Sequence, residues 1–200
     1  MSERKIYIGI DPGTNGGIAV LDRDGKVLEV GKMPATPQDI LDFLGEYSGQ
    51  DVTVALEDVG HGIPGQSSKA TATFARHNGH LEMALLALGM PTEKVTPQKW
   101  QKVYQLGSSK SCTKIQWKNK LKAKAQQLFP SLGKKITLST SDALLIAEYA
   151  RRLALCFNHR LFMFYNTPRK PVRASGFSLA LFSFHNLINR FPVVIMAAGF

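Results

Sequence analysis

Two cysteines in 200 residues, no acidic residue after Glu148 and no apolar run long enough to cross a bilayer set the first limits on this chain. Cys112 and Cys156 show no metal-ligand spacing, and two thiols cannot build a disulfide framework. With no signal peptide in view, they point to a reducing, cytoplasmic setting. A spanning helix needs roughly 18 uninterrupted apolar residues, and the best run, Gly176 to Phe184, stops at His185. Acids are scarce: 15 Asp plus Glu stand against 25 Lys plus Arg, giving a formal charge of +10 and a pI near 9.7. That balance favours a polyanionic partner, nucleic acid first, with an anionic membrane surface as the alternative. The length suits one domain with a short extension.

The stretch IGIDPGTNGG, Ile8 to Gly17, joins an apolar run to a carboxylate and then to glycines. Ile6, Ile8 and Ile10 alternate with Tyr7, Gly9 and Asp11, the period of a strand with one face in a core. Asp11 is therefore expected at the strand end, on the face opposite the isoleucines. Pro12 and Gly13 mark a turn, and Gly16 and Gly17 are expected to leave open backbone that a phosphate or a polymer could approach. Alone, Asp11 reads equally as a solvated turn acid or a functional one. The next residues predict two strands joined by a two-residue hairpin at Asp24-Gly25.

Thr36 caps a predicted helix over Pro37 to Tyr47, with Ile40, Leu41, Phe43 and Leu44 on one stripe. Val52, Val54 and Leu56 then return to period two in a strand ending at Glu57 and Asp58. Strand, helix, strand in this order implies a parallel pairing beside the meander. A glycine-rich loop precedes a helix from Ser67 to Leu88, with Phe74, Leu81, Leu85 and Leu88 inward. A short strand over TEKVTP follows, then helices over Pro97 to Gln105 and Ser111 to Phe129. The last helix, SDALLIAEYARR, takes Ser141 as its N-cap and ends at Arg152. From Leu153 to Phe200 the character changes: phenylalanines and basic residues crowd in without periodicity. Residues 153–200 read as an atypical tail, whether a DNA-binding extension, a membrane-surface segment or sequence that does not pack.

Three acids share a pattern: Asp11 on the first strand, Glu57 at the end of the fourth and Asp142 in the first turn of the last helix. Carboxylates gathered from distant sequence repel unless positive charge lies between them, and Mg²⁺, a hard cation that takes oxygen ligands, is the economical answer. Two such ions about 3.5–4 Å apart can activate a water and stabilise the leaving oxygen of a phosphodiester. Lysine-rich helices would then hold the flanking phosphates.

The segments IGIDPGTNGG, VALEDV, TFARHNGHLEMALLALG, VTPQKWQK and SDALLIAEYARR, in this order and spacing, resemble the RuvC-type Holliday junction resolvases of the ribonuclease H superfamily, including phage, bacterial and chloroplast members. The likeness covers about residues 4–152, so residues 1–152 are expected to form the nuclease domain. It implies an α/β fold, a ribonuclease H-like five-stranded mixed sheet flanked by helices. It also implies a homodimer, two Mg²⁺ ions per site with Mn²⁺ as a substitute, and paired nicks at four-way DNA junctions. Carried over by position, Asp11, Glu57 and Asp142 match the metal-binding, catalytic acids, and Lys110 or Lys114 falls near the phosphate-contacting lysines. The family usually has a fourth acid three to five residues before the one matched by Asp142. Here Thr137, Leu138 and Ser139 stand instead.

Other residues carry two readings each. Asp58 is a turn acid or an extra ligand, facing away from Glu57. Glu148, six residues after Asp142, faces elsewhere on the helix. His77 and His80 are spaced to bind a metal but also suit ordinary polar roles, and His77 could touch DNA. Phe74 belongs to the core or, by the resemblance, wedges bases apart. Trp100 and Trp117 are expected to pack. Lys110, Lys114, Lys118 and Lys122 recur every four residues, a stripe fit for a phosphate backbone or a solvated face. The rival functions are an actin-like ATPase or sugar-kinase fragment, whose phosphate loop also follows a strand with an acid and glycines, and a catalytically silent nucleic-acid-binding protein of the same fold.

Overall fold

Strand β1 (Ile6–Asp11) occupies the middle of a five-stranded sheet, because its residues alternate between two different cores. The computed structural model describes residues 5–60 and 67–166. The chain divides into two units, Met1–Phe162 and Met163–Phe200, and the architecture here is that of the first. Ile6, Ile8 and Ile10 enter one apolar cluster while Tyr7 enters the other. β2 (Gly17–Asp22) runs antiparallel to β1, and β3 (Val27–Lys32) antiparallel to β2. β4 (Val52–Glu57) lies parallel to β1 on its other side, and β5 (Thr92–Val95) parallel to β4. The order is β3-β2-β1-β4-β5, a mixed sheet.

The hairpin is longer than the sequence suggests. Asp22 and Lys26 close a three-residue loop, the Asp22 N–H donating to the Lys26 carbonyl, with Gly25 at φ +85°. A type I turn followed by a left-handed glycine is the common three-residue solution, and Asp22 secures it by accepting the N–H groups of Asp24 and Lys26.

Helices cover both faces. On the isoleucine face lie α1 (Pro37–Gly45) and α2 (Ser68–Ala87). The capping box of Thr36 and Asp39 starts α1, a device of about 1 kcal/mol. α1 buries Ile40 and Leu44, α2 buries Leu81 and Leu85, and all four join the isoleucines. Phe74 and Leu88 are only half-buried. On the opposite face lie α3 (Pro97–Lys102), α4 (Lys114–Leu128) and α5 (Leu138–Asn166), burying Trp100, Leu121, Ala125 and Leu144 among others.

Two helix starts differ from expectation. Residues Ser109–Ser111 form a separate 3-10 turn, and α4 begins only after Thr113, whose capping box with Gln116 fixes the start. α5 begins at Leu138: the Thr137 carbonyl accepts the Ser141 N–H, and the Thr140 hydroxyl reaches back to the Thr137 N–H. Ser141 is thus a buried residue inside the helix instead of its cap, and Asp142 falls in the second turn. The helix passes Arg152 and runs to Asn166; the rest of the phenylalanine-rich tail lies outside the described residues. Among the described residues no helix is long and apolar enough to cross a membrane.

Candidate active site

The parallel register of β1 and β4 pairs Ile10 with Leu56, so Asp11 and Glu57 stand side by side as the last residues of neighbouring strands. Both point to the face covered by α5, away from the isoleucines, as alternation requires. Carboxyl ends of adjacent parallel strands are where open α/β sheets place their ligand crevices. α5 supplies Asp142 to the same place because β1 has a glycine beneath it. A Cβ on Gly9 would stand 2.8 Å from Ala147 Cα and closer still to the Ala147 nitrogen and Ala143 carbonyl. Only a residue without a side chain lets helix backbone lie on strand backbone in this way.

The glycines after Asp11 serve the protein itself and do not offer the open backbone expected of them. A Cβ on Gly17 would meet the Gly31 and Ser139 carbonyls at 2.6 and 2.7 Å, and one on Gly16 would meet the Asp11 carbonyl group. Both are buried, and they pack the start of α5 and the β1–β2 turn. Gly13, at φ +101°, lies against the Phe74 ring, so Phe74 sits beside the acid-bearing turn and is half-buried.

Asp11, Glu57 and Asp142 are all buried, and they interact. Burial, then the charges of Glu57 and Asp142, push the Asp11 carboxyl well above the usual carboxylate range. Burial also raises Glu57, against a lowering hydrogen bond from Trp100. The two carboxyl groups influence each other's protonation. Positive charge comes from Lys118, whose Nζ stands 2.5 Å from Asp142 Oδ2. Burial works against the Lys118 charge, but Asp142, Asp11 and Glu57 outweigh it and raise its pKa. Asp142 also accepts from the Ser141 hydroxyl. The Trp100 indole donates to Glu57 Oε1 at 2.8 Å.

Lys118 departs from the expected stripe. It points inward to the acids, while Lys110 is exposed in its own turn and Lys114 is exposed at the start of α4. The sequence carried a signal: Lys118 precedes the buried Leu121 and Ala125 by three and seven residues, which puts a lysine on the apolar face of its helix. A lysine there needs a buried partner. Trp100 was expected only to pack; its hydrogen bond depends on β5 and α3 folding back over the end of β4, which local pattern does not reveal.

The remaining candidates stand apart from the cluster. Glu148 is engaged by Arg151 at 2.7 Å and Arg152 at 2.6 Å, which hold its carboxyl below the usual range although burial opposes them. Asp58 accepts the Gly60 N–H, a turn acid. His77 is half-buried with its Nε2 unpartnered, and burial followed by the neighbouring His80 lowers its pKa. Ser139 occupies the helix position one turn before Asp142, where a fourth acid would share its face.

The donor chemistry suits a hard divalent cation, since three buried carboxylates with one lysine between them are short of positive charge. Among the described residues, however, no group of three His, Cys, Asp or Glu side chains is arranged as a metal site. Asp142 and Glu57 are partnered by Lys118 and Trp100 instead. Around them the chain is one-signed: between Glu93 and Asp142 it carries lysines and no acid.

No family model and no curated protein matches this chain. Among the solved structures similar to it are two of Thermus thermophilus RuvC. The structure in complex with Holliday junction substrate matches at a TM-score of 0.55 and 16% identity, covering 75% of this chain and 96% of that chain. The other matches at 0.53 and 17%, covering 74% and 96%. At such identity the likeness is one of fold, and the chain has the ribonuclease H-like architecture of those RuvC structures, a five-stranded mixed sheet flanked by helices.

Proposed function

We infer that this protein is a Mg²⁺-dependent, structure-selective DNA endonuclease that nicks four-way junctions. The observation that carries the reading is the convergence of Asp11, Glu57 and Asp142, from two strand ends and one helix, around Lys118. Asp11, Glu57 and Asp142 would hold the metal, which when bound polarises the phosphodiester and activates water. The chain's own contributions are physical. Burial of the acids excludes bulk water and strengthens their pull on any cation. Lys118, paired with Asp142, would supply an ammonium to a phosphate oxygen beside the metal. Lys110 and Lys114, exposed on the acid-free segment, would bind flanking phosphates. Phe74, beside Gly13, and His77, one turn on, would face the DNA near the cut.

A homodimer fits the same reading, since two cuts in a symmetric junction call for two centres. Met83 and Leu86, at 61% and 75% exposure, form an apolar patch on α2 that a second copy would cover.

A binding-only protein of this fold is the second reading. It draws on Ser139 standing where the family has an acid and on Lys118 already filling the cluster. One experiment separates the two: incubation of the purified protein with a labelled four-way junction, with and without Mg²⁺. The endonuclease reading expects nicking that requires Mg²⁺ and is lost in Asp11→Asn with binding retained. Binding without nicking, at any Mg²⁺ concentration, overturns it.

A further inference from the structure

Trp100 is fully buried, yet its one polar atom is spent on an acid of the cluster. Its position follows from the chain path. β5 pairs Val95 with Glu57, Pro97 starts α3, and Trp100 in the first turns of α3 comes back over the end of β4. The ring packs edge-on against Tyr104, centroids 6.3 Å apart, and the Tyr104 hydroxyl donates to the Leu145 carbonyl of α5. The indole is therefore fixed from below by the sheet and from the side by a residue bonded to the helix that carries Asp142.

A buried indole N–H needs an acceptor and a buried carboxylate needs donors, so the bond could serve packing alone. The acceptor argues for more. Glu57 has Asp11, Asp142 and Lys118 as its charged neighbours. An arginine or lysine at position 100 would neutralise Glu57 and compete with any incoming cation. An indole donates one hydrogen bond, carries no charge and occupies one oxygen, leaving the other for the cluster. Partners of this kind, which orient a ligating carboxylate from outside the metal shell, tune metal sites strongly.

We propose that Trp100 is a positioning residue, which locks the Glu57 carboxylate in one orientation toward a divalent cation and ties it through Tyr104 to the Asp142 helix. This rests on the reading of the cluster as a metal-dependent nuclease centre. Mn²⁺ binding is measured by titration calorimetry on the full chain. Trp100→Phe, which keeps an aromatic ring but no donor, should weaken Mn²⁺ binding by about tenfold or more. Trp117→Phe, which removes an indole bonded to Gln101 instead, should leave it unchanged. On a Glu57→Gln background, Trp100→Phe should cost nothing further, because its effect passes through Glu57.

A second measurement needs no change at Trp100. The chain has two tryptophans, so a ¹⁵N-indole spectrum has two resonances, and Trp117→Phe assigns them. Mg²⁺ titration and Glu57→Gln should each move the Trp100 resonance and leave that of Trp117 in place. Absence of any Mn²⁺ binding by the wild-type chain overturns the metal reading and this proposal together. Undiminished binding by folded Trp100→Phe, or a Trp100 resonance indifferent to both Mg²⁺ and Glu57→Gln, overturns this proposal alone. If Trp100→Phe does not fold, the indole spectrum decides.

Discussion

Gly9 and Ala147 touch backbone to backbone: the Ala147 Cα lies 2.8 Å from the point where a Cβ on Gly9 would stand. The two residues are 138 positions apart in sequence numbering, and their contact seats α5 on β1. Asp11 follows Gly9 by two residues on the strand and Asp142 precedes Ala147 by five on the helix. The contact therefore sets the spacing of the two acids, so one missing methyl group belongs to the core and to the site at once.

Gly9→Ala should be among the most damaging small substitutions in the chain. The new methyl has no flexible side chain to displace, only helix backbone, and overpacking of this kind costs about 1–3 kcal/mol or more. It would also lift Asp142 from Asp11, so nicking should fall further than folding. Gly45→Ala is the control, because a Cβ there meets nothing within 4 Å. It should change stability by no more than about 1 kcal/mol. Urea denaturation of both variants, with junction cleavage measured alongside, checks the pair.

Two conservative changes at the acids should move stability in opposite directions. In EDTA, Asp11→Asn removes a buried charge that Glu57 and Asp142 oppose, and should stabilise the fold at neutral pH by about 1 kcal/mol. Asp142→Asn takes the partner from half-buried Lys118 and should destabilise it by about 1 kcal/mol, solvent limiting the loss. Both should abolish Mg²⁺-dependent nicking. Thermal unfolding without divalent cations tests this, and the same sign for both variants would contradict the charge balance described for the cluster.

What the sequence disclosed follows a physical division. β1 and β4 were legible because alternation records which side chains enter a core, and with it the common face of Asp11 and Glu57. The start of α1 was legible because the Thr36 cap acts locally. The role of Gly9 was not, since nothing in IGID says that a helix from the far end of the chain will lie across it. Gly16 and Gly17 look alike whether a ligand or the protein's own backbone approaches, and here Ser139 and Asp11 do. The inward turn of Lys118 was hidden for a related reason: a repeat of four fixes a face, but only the buried Leu121 and Ala125 say which way that face is turned at Lys118.

The raised Asp11 pKa has a definite pH signature. Asp11 and Glu57 bind protons more tightly folded than unfolded, so without metal the folded state gains from protonation and loses stability as pH rises. The loss begins near the ordinary value of 3.8 and continues upward through the raised folded one. Glu148 works the other way, since its folded pKa is lowered and its contribution is lost on acidification. Subtracting the Asp11→Asn curve isolates the cluster. In EDTA the stability of wild type relative to Asp11→Asn should decline as pH rises from 4 toward 7. The stabilisation gained on adding Mg²⁺ should grow over the same range. A difference that does not vary with pH would mean that Asp11 titrates normally.

The lysines separate into two kinds by where their ammonium groups stand. Lys110 and Lys114 are exposed, and removing a lysine that neutralises one phosphate should flatten the slope of log affinity against log salt by about 0.9 on B-form DNA. Lys110→Ala with Lys114→Ala should therefore flatten it by about 2, while nicking at saturating DNA stays near wild type. Lys118→Met should do the reverse. Its charge is committed to Asp142, Asp11 and Glu57, so free-protein binding changes little while nicking falls by about a hundredfold, the scale of removing one electrostatic donor at a reacting centre. Filter binding across a salt series, paired with single-turnover cleavage of a four-way junction, measures both. If Lys118→Met flattened the salt slope and left the cleavage rate intact, Lys118 would bind the DNA backbone, and the cluster would function without it.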